Sequence, residues 1–372
     1  MRIAAFELEQ YQADHEDHVE FNLAGSGARS RTLGDLYELG LPELSESSLG
    51  YPIAKGSPAL LENISSWYPG SEPGNVVPTN GGCEANFLTL WSLLEPDDEV
   101  AMMVPNFLQP IGVAAAFGRV RSFRLARSEA PTPRWALDAG SLLEAVTPAT
   151  KIVWVCNPNN PTGSVLSLDE MDQVVSAAAS VGAWIVSDEI YRGAELHGAD
   201  TTPTFWGRYD KVIVTASLSK AFGLAGLRLG WAIGPQEQIA ELRMHRDYTS
   251  TMVGHLSDTL GSFVLDPANR DVILGQTRST LTADVEAVDD WAGQHETLAY
   301  APPSAGAIAY VELPSTISDV EFCHRVREDR SVLLVPGTFL GMAGGVRVGF
   351  GSGAETTRAG LERVDSVLVD FA

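Results

Sequence analysis

The sequence predicts an α/β protein: a largely parallel sheet covered by helices on both faces, joined to a smaller α+β domain. Three observations carry this prediction. Four short apolar runs in the middle of the chain end in polar or turn residues: "EVAMMVP" (99–105), "KIVWVCNP" (151–158), "AWIVSDE" (183–189) and "KVIVTAS" (211–217). A helical pattern, "SLDEMDQVVSAAASVG" (167–182), separates the second run from the third, and parallel neighbours need such a crossover. Beyond about residue 260 the rhythm changes to short strands around turns, which marks a second unit. The division expected is residues 36–260 as the large domain, and 1–35 with 261–372 as the small one.

The elements follow in chain order. "MRIAAFELEQ" has too short an apolar run for a secretory signal, and acids follow at once. "DHEDH" (14–18) places two histidines three residues apart among acids, but no third donor is near, so it reads as a solvated helix face and no metal is expected. "GSGARS" (25–30) starts like a dinucleotide fingerprint and then has Ser30 where the third glycine belongs. "GFGSGA" (349–354) has no βαβ unit after it. In "PTNGGCEANFLTLWSLL" (78–94), two glycines precede an amphipathic helix whose apolar face includes Phe87, Leu90, Trp91 and Leu94. The free N–H groups of Gly82 and Cys83 at its positive end suit a phosphate.

The run 151–158 leads into "CNPNNPTGSV", whose prolines stiffen the loop so that Asn160 can aim its amide at a ligand. Ser167 with Glu170 makes a capping box for the next helix, and Gly182 is its C-cap. Asp188 in "SDEIY" sits at a buried strand end, where a carboxylate needs a cationic partner. Arg192 could supply it, as could a protonated ring nitrogen. "SLSKAFGLAGLRLGW" (217–231) surrounds Lys220 with small and apolar residues. A lysine kept dry loses affinity for its proton, and the neutral amine is a nucleophile able to form a Schiff base. In the small domain, "ETLAYAPPSAGAIAYVEL" (296–313) reads as two strands about a Pro-rich turn. "VLLVPGTFL" and "GVRVGFG" extend it into a small mixed sheet, with a helix from about Ala354 to the end.

Composition narrows the function. Hydrophobic residues make up 45% of the chain, enough for a substantial core. A net charge of −23 repels nucleic-acid phosphates and anionic lipid, so neither is an expected partner. Cys83, Cys156 and Cys323 are odd in number and form no CxxC pair, which fits a reducing, cytoplasmic setting.

In order, "NPNNPTG", "SDEIY", "SLSK" and "GLRLGW" resemble the class I/II aminotransferases, fold type I enzymes that use pyridoxal 5′-phosphate (PLP). The resemblance runs from about Tyr51 to Arg347. It implies that Lys220 holds PLP as an aldimine and then moves the substrate's Cα proton, and that Asp188 pairs with the pyridine nitrogen. Asn160 and Tyr191 are implied at the ring hydroxyl, and Phe107, in "VPNFLQP", on the ring face. Gly82, Cys83, Ser217, Ser219 and Arg228 are implied around the phosphate. Tyr51 is implied to reach the phosphate of a neighbouring subunit, hence a homodimer with shared sites. Arg347, with Asn160, is implied to bind substrate, its guanidinium gripping the α-carboxylate. The resemblance implies transamination between an amino acid and a 2-oxo acid. The segment "FNLAGSGARSRTL" lacks the family's Gly-x-Pro and, with "HRDYTS" (245–250), is similar to a subgroup related to arginine-derived amino-acid cyclases of the capreomycidine synthase type. Elimination or cyclisation at Cβ or Cγ therefore stays open beside transamination.

Overall fold

The computed structural model describes residues 3–130 and 132–371. Among these, the strands form an eight-stranded, a four-stranded and a two-stranded sheet. The two-stranded sheet pairs β1 (Phe21–Asn22) with β12 (Val332–Leu333) in parallel. The large sheet runs in the order β2 (Val76–Thr79), β9 (Gly230–Ile233), β8 (Val212–Ser217), β7 (Trp184–Asp188), β6 (Thr150–Cys156), β3 (Glu99–Val104), β4 (Arg119–Arg127), β5 (Trp135–Leu137). The four apolar runs are its central strands β3, β6, β7 and β8, all parallel as expected.

The edges depart from parallel order. β9 is antiparallel to both neighbours, because residues 218–229 hold one 3-10 turn, Ala225–Leu227, in place of a crossover helix. β5 turns back on β4. Helix Leu168–Val181 has the expected capping box, with Ser167 Oγ accepting from the Glu170 N–H and the Glu170 carboxylate accepting from the Ser167 N–H, and it ends at Gly182 in the left-handed region.

Two expectations are corrected. The four-stranded sheet, β10 (Ala299–Tyr300), β11 (Ile308–Glu312), β14 (Gly345–Gly349) and β13 (Val335–Pro336), is antiparallel throughout, not mixed. Parallel pairing in this region belongs to β1 and β12, since "VLLVP" splits at Leu334 between two sheets. The helix Gly82–Leu93 is not one-faced either. Ala85, Asn86, Leu88, Thr89, Leu90 and Leu93 are buried around it, while Phe87 and Trp91 are only partly covered. The large sheet lies on one side of it and helices Gln109–Ala114 and Gln236–Arg246 on others, so both faces are packed. The C-terminal helix, Ala354–Phe371, is present as expected, with Ala372 outside the described residues.

The start of helix Gly82–Leu93 is fixed by a close approach of backbones. A Cβ on Gly230 of β9 would lie 2.5 Å from the Gly81 carbonyl carbon and 2.7 Å from the Gly82 nitrogen. Gly230→Ala should therefore destabilise the cofactor-free protein by about 1–3 kcal/mol, the ordinary cost of overpacking. It should also weaken anion binding at this helix start. Urea unfolding and phosphate titration measure both; an unchanged midpoint and affinity would contradict the fit.

Candidate active site

The carboxyl ends of β6, β7 and β8 open into a cavity of about 610 Å³. Of the residues expected at a site, Gly82, Cys83, Phe107, Asn160, Asp188, Tyr191, Ser219, Lys220, Arg228 and Arg347 line it. Ser217 lies just behind, buried, with its Oγ accepting from the Ser219 N–H at 3.1 Å. Tyr51 is 94% exposed and stands apart from the cavity of its own chain.

Lys220 follows β8 and donates from Nζ to Ser26 Oγ at 2.9 Å. Burial, and then the nearby Arg347 guanidinium, lower its pKa to about 8. Asp188 ends β7, with Oδ2 accepting from Asn86 Nδ2 at 3.2 Å and Oδ1 from the Ile190 N–H at 3.1 Å. Burial pushes its pKa up to about 6 against those two hydrogen bonds and the pull of Lys220. Arg192 is not its partner: that guanidinium lies 3.9 Å from Glu189, donates to the Thr202 and Trp67 carbonyls, and sits over the Trp67 ring. Asp188, the last residue of β7, lines the cavity, whereas Glu189, just past the strand, accepts hydrogen bonds from the Ser187 and Thr204 hydroxyls and the Phe205 N–H.

Arg347, on β14, is 1% exposed. Its Nη1 donates to Asn160 Oδ1 at 3.2 Å and its Nη2 to the Ala24 carbonyl at 2.7 Å, leaving Nε without a partner. The Tyr191 hydroxyl is buried beside Ser26 without a hydrogen bond of ordinary geometry, and burial raises its pKa. At the other end, a Cβ on Gly81 would lie 2.5 Å from an Arg228 nitrogen, so the glycine lets the guanidinium close on the start of helix Gly82–Leu93. Among the described residues no carboxylate forms an ion pair with Arg228 or Arg347.

Sequence reasoning missed part of this wall. Asn86, one helical turn beyond Gly82, lies within the stretch 78–94 read for its helix start, but was not itself singled out. Ser26 sits in a segment read for its broken dinucleotide motif, its lack of Gly-x-Pro and its likeness to a cyclase subgroup, with no role given to the serine. Helix Glu7–His15 and the turn after it bring Leu8, Glu9, Gln12, Ala13 and Glu16 to the cavity, so the acidic stretch read as a solvated face has a cavity side. The four-residue spacing of Leu8, Gln12 and Glu16, which puts them on one helix face, was the available signal. No group of three metal-ligating side chains occurs among the described residues.

The chain matches the family model for aminotransferase class I and II over residues 41–364. It belongs to that family. A PLP-dependent aminotransferase from Streptococcus suis 89-1591 has the same fold at a TM-score of 0.91 and 31% identity, covering 100% of this chain and 99% of its own. The PLP-dependent cyclase OrfR superposes at 0.89 with 26% identity, covering 100% and 99%. Capreomycidine synthase of Streptomyces vinaceus is 26% identical over 375 residues, 98% of this chain and 94% of that protein. This is a fold type I enzyme, and its cofactor is PLP.

The residues present fit that cofactor. Arg228, Ser219 and the start of helix Gly82–Leu93 form an anion cradle without an anion from the protein. Asp188 offers a buried carboxylate across the cavity, and the unpartnered Tyr191 hydroxyl and Arg347 Nε offer donors between.

The lysine's folded pKa of about 8 lies below its ordinary 10.5, so the unfolded chain binds more protons between those values. Stability therefore rises with pH across that window, and the full penalty is present below it. Cofactor-free Lys220→Met should be more stable than the parent at pH 7 by on the order of 3 kcal/mol, with the difference shrinking from pH 8 to 10.5. Chemical denaturation across pH tests this, and equal stability at pH 7 would show that the amine is not confined.

Proposed function

We propose that the protein is an aminotransferase that moves an amino group between an amino acid and a 2-oxo acid. The observation that carries this reading is a confined, weakly basic Lys220 in one cavity with Asp188, Tyr191, Asn160 and Arg347. Arg228, Ser217, Ser219 and the backbone of Gly82 and Cys83 hold the cofactor's phosphate. Asp188 holds its ring nitrogen, Asn160 and Tyr191 its ring hydroxyl, and Phe107 its face. When bound, PLP withdraws electrons from the substrate Cα. Arg347 orients the amino acid by its α-carboxylate, with Nε free to join the grip. The Lys220 amine, about half neutral near pH 8, accepts the Cα proton and returns a proton to Cα in the reverse half-reaction. The helix Glu7–His15 walls the site against water.

A second reading, elimination or cyclisation at Cβ or Cγ, is favoured by the full-length likeness to capreomycidine synthase and OrfR. Glu9 and Glu16 on the cavity wall suit a substrate with a basic side chain. The two readings separate cleanly. With amino acid and no acceptor, a transaminase releases one equivalent of 2-oxo acid per site and stops until a 2-oxo acid is added. Continued turnover of the amino acid alone would overturn transamination in favour of the second reading.

The chain division proposed is a cofactor-binding domain of 36–260 and a smaller domain of 1–35 with 261–372, supported by the pairing of β1 with β12. Among the described residues no helix is long and apolar enough to cross a membrane, and we place the enzyme in the cytoplasm. We also propose a homodimer. Leu49, Tyr51, Ile53, Met244 and Tyr248 are large, apolar and exposed, and Arg246 ties their two segments by donating to the Ala54 carbonyl. In this reading Tyr51 completes the site of the partner subunit. Mixing Lys220→Ala with Tyr51→Phe subunits places both lesions in one site and leaves the other whole. Hybrids should recover activity relative to either parent; no recovery would contradict shared sites.

A further inference from the structure

Asn86 occupies a position that the roles above leave unused. It is 3% exposed, on the same face of its helix as Gly82, and lines the cavity one turn deeper. Its side chain is held at both ends. Nδ2 donates to Asp188 Oδ2 at 3.2 Å, and Oδ1 accepts from the buried Thr215 hydroxyl at 2.7 Å. Thr215 of β8 is the direct register partner of Asp188 on β7. The opposite orientation of the amide would turn its oxygen onto a carboxylate that can only accept, so chemistry selects this one.

We propose that Asn86 is a positioning residue that keeps the Asp188 carboxylate ionised and aimed into the cavity, with Thr215 fixing the direction of its amide. The inference rests on the role proposed for Asp188. Among the described residues, the hydrogen bonds to the Asp188 carboxylate oxygens come from Asn86 and the Ile190 N–H. The other groups that act on it do so through space: Lys220, which favours its charge, and Cys83, Cys156 and Tyr191, whose ionised forms would oppose it. Asn86 is thus the one side chain that donates to the carboxylate, and it spans from the helix that starts the phosphate cradle to the strand that ends at Asp188. A single helix serves both ends of the cofactor.

The test is a PLP titration of the cofactor-free protein from pH 5 to 8.5, with the thermal midpoint measured alongside. A hydrogen bond to a charged group favours the charged form, so losing it raises the carboxyl's pKa. Asn86→Leu should move the acid limb of the affinity profile upward by about one pH unit, which weakens PLP binding about tenfold at pH 5 and about twofold at pH 7. Thr215→Val keeps the amide but frees its rotation, and should move the limb the same way by less. A change in thermal midpoint with the acid limb in place would overturn the proposal. Should Asn86→Leu fail to fold, Thr215→Val decides: an upward shift supports the proposal and an unmoved limb overturns it. Asp188→Asn in the same titration separates the two levels. If it leaves the acid limb as in the parent, the role of Asp188 itself falls. If it removes the limb while Asn86→Leu does not move it, only the assignment of Asn86 falls.

Discussion

The hydrogen bond from Lys220 Nζ to Ser26 Oγ joins parts of the chain 194 residues apart, and the neighbourhood of the cavity is organised around it. Confining an amine in a low-dielectric space disfavours its charge, and the surroundings must still satisfy its donors. The N-terminal segment meets both needs. Ala28 N–H donates to the Lys220 carbonyl, Ala24 C=O accepts from Arg347, and Leu23 exchanges backbone hydrogen bonds with Leu333 and Gly349. The segment is thereby clamped between the end of β8 and the small sheet, holding the lysine of one against the arginine of the other.

Electrostatics inside the cavity run against those of the surface. The chain as a whole carries −23, yet Lys220, Arg228 and Arg347 converge on one space with Asp188 as its buried carboxylate. An anionic group therefore finds its attraction only after entering, where low-dielectric walls strengthen it. The end of β7 places two neighbouring acids, Asp188 in the strand and Glu189 just past it, in different surroundings. Asp188 faces the cavity under two hydrogen bonds, whereas Glu189 is pushed up to about 7 by burial beside Arg192. The strand end separates a cavity-facing carboxylate from one held within the fold.

Residues carried by contiguous motifs were legible in the sequence because short stretches of chain fix their geometry. A strand end followed by a stiff or glycine-rich turn delivers Asn160, Asp188, Lys220 and Arg228 to one rim once the strands are parallel. Asn86 and Ser26 were not legible. Asn86 looks like one more polar residue in a helix that is apolar on both sides, and Ser26 like part of a failed nucleotide motif. Their meaning comes from partners far along the chain, Asp188 and Lys220, and no local pattern encodes such pairings.

The sequence by itself determined the central parallel strands, the capped helix between β6 and β7, and the set of charged and amide groups at the strand ends. Each depends on interactions within a few residues: periodic burial, a capping box, a turn. Only the tertiary structure decided that β9 runs antiparallel, that the small sheet is antiparallel with β12 lent to β1, and that Glu189, not Asp188, takes Arg192. It also decided that the N-terminal helix covers the cavity. These outcomes depend on which surfaces remain to be buried once the large sheet has formed, and that is a property of the assembled chain.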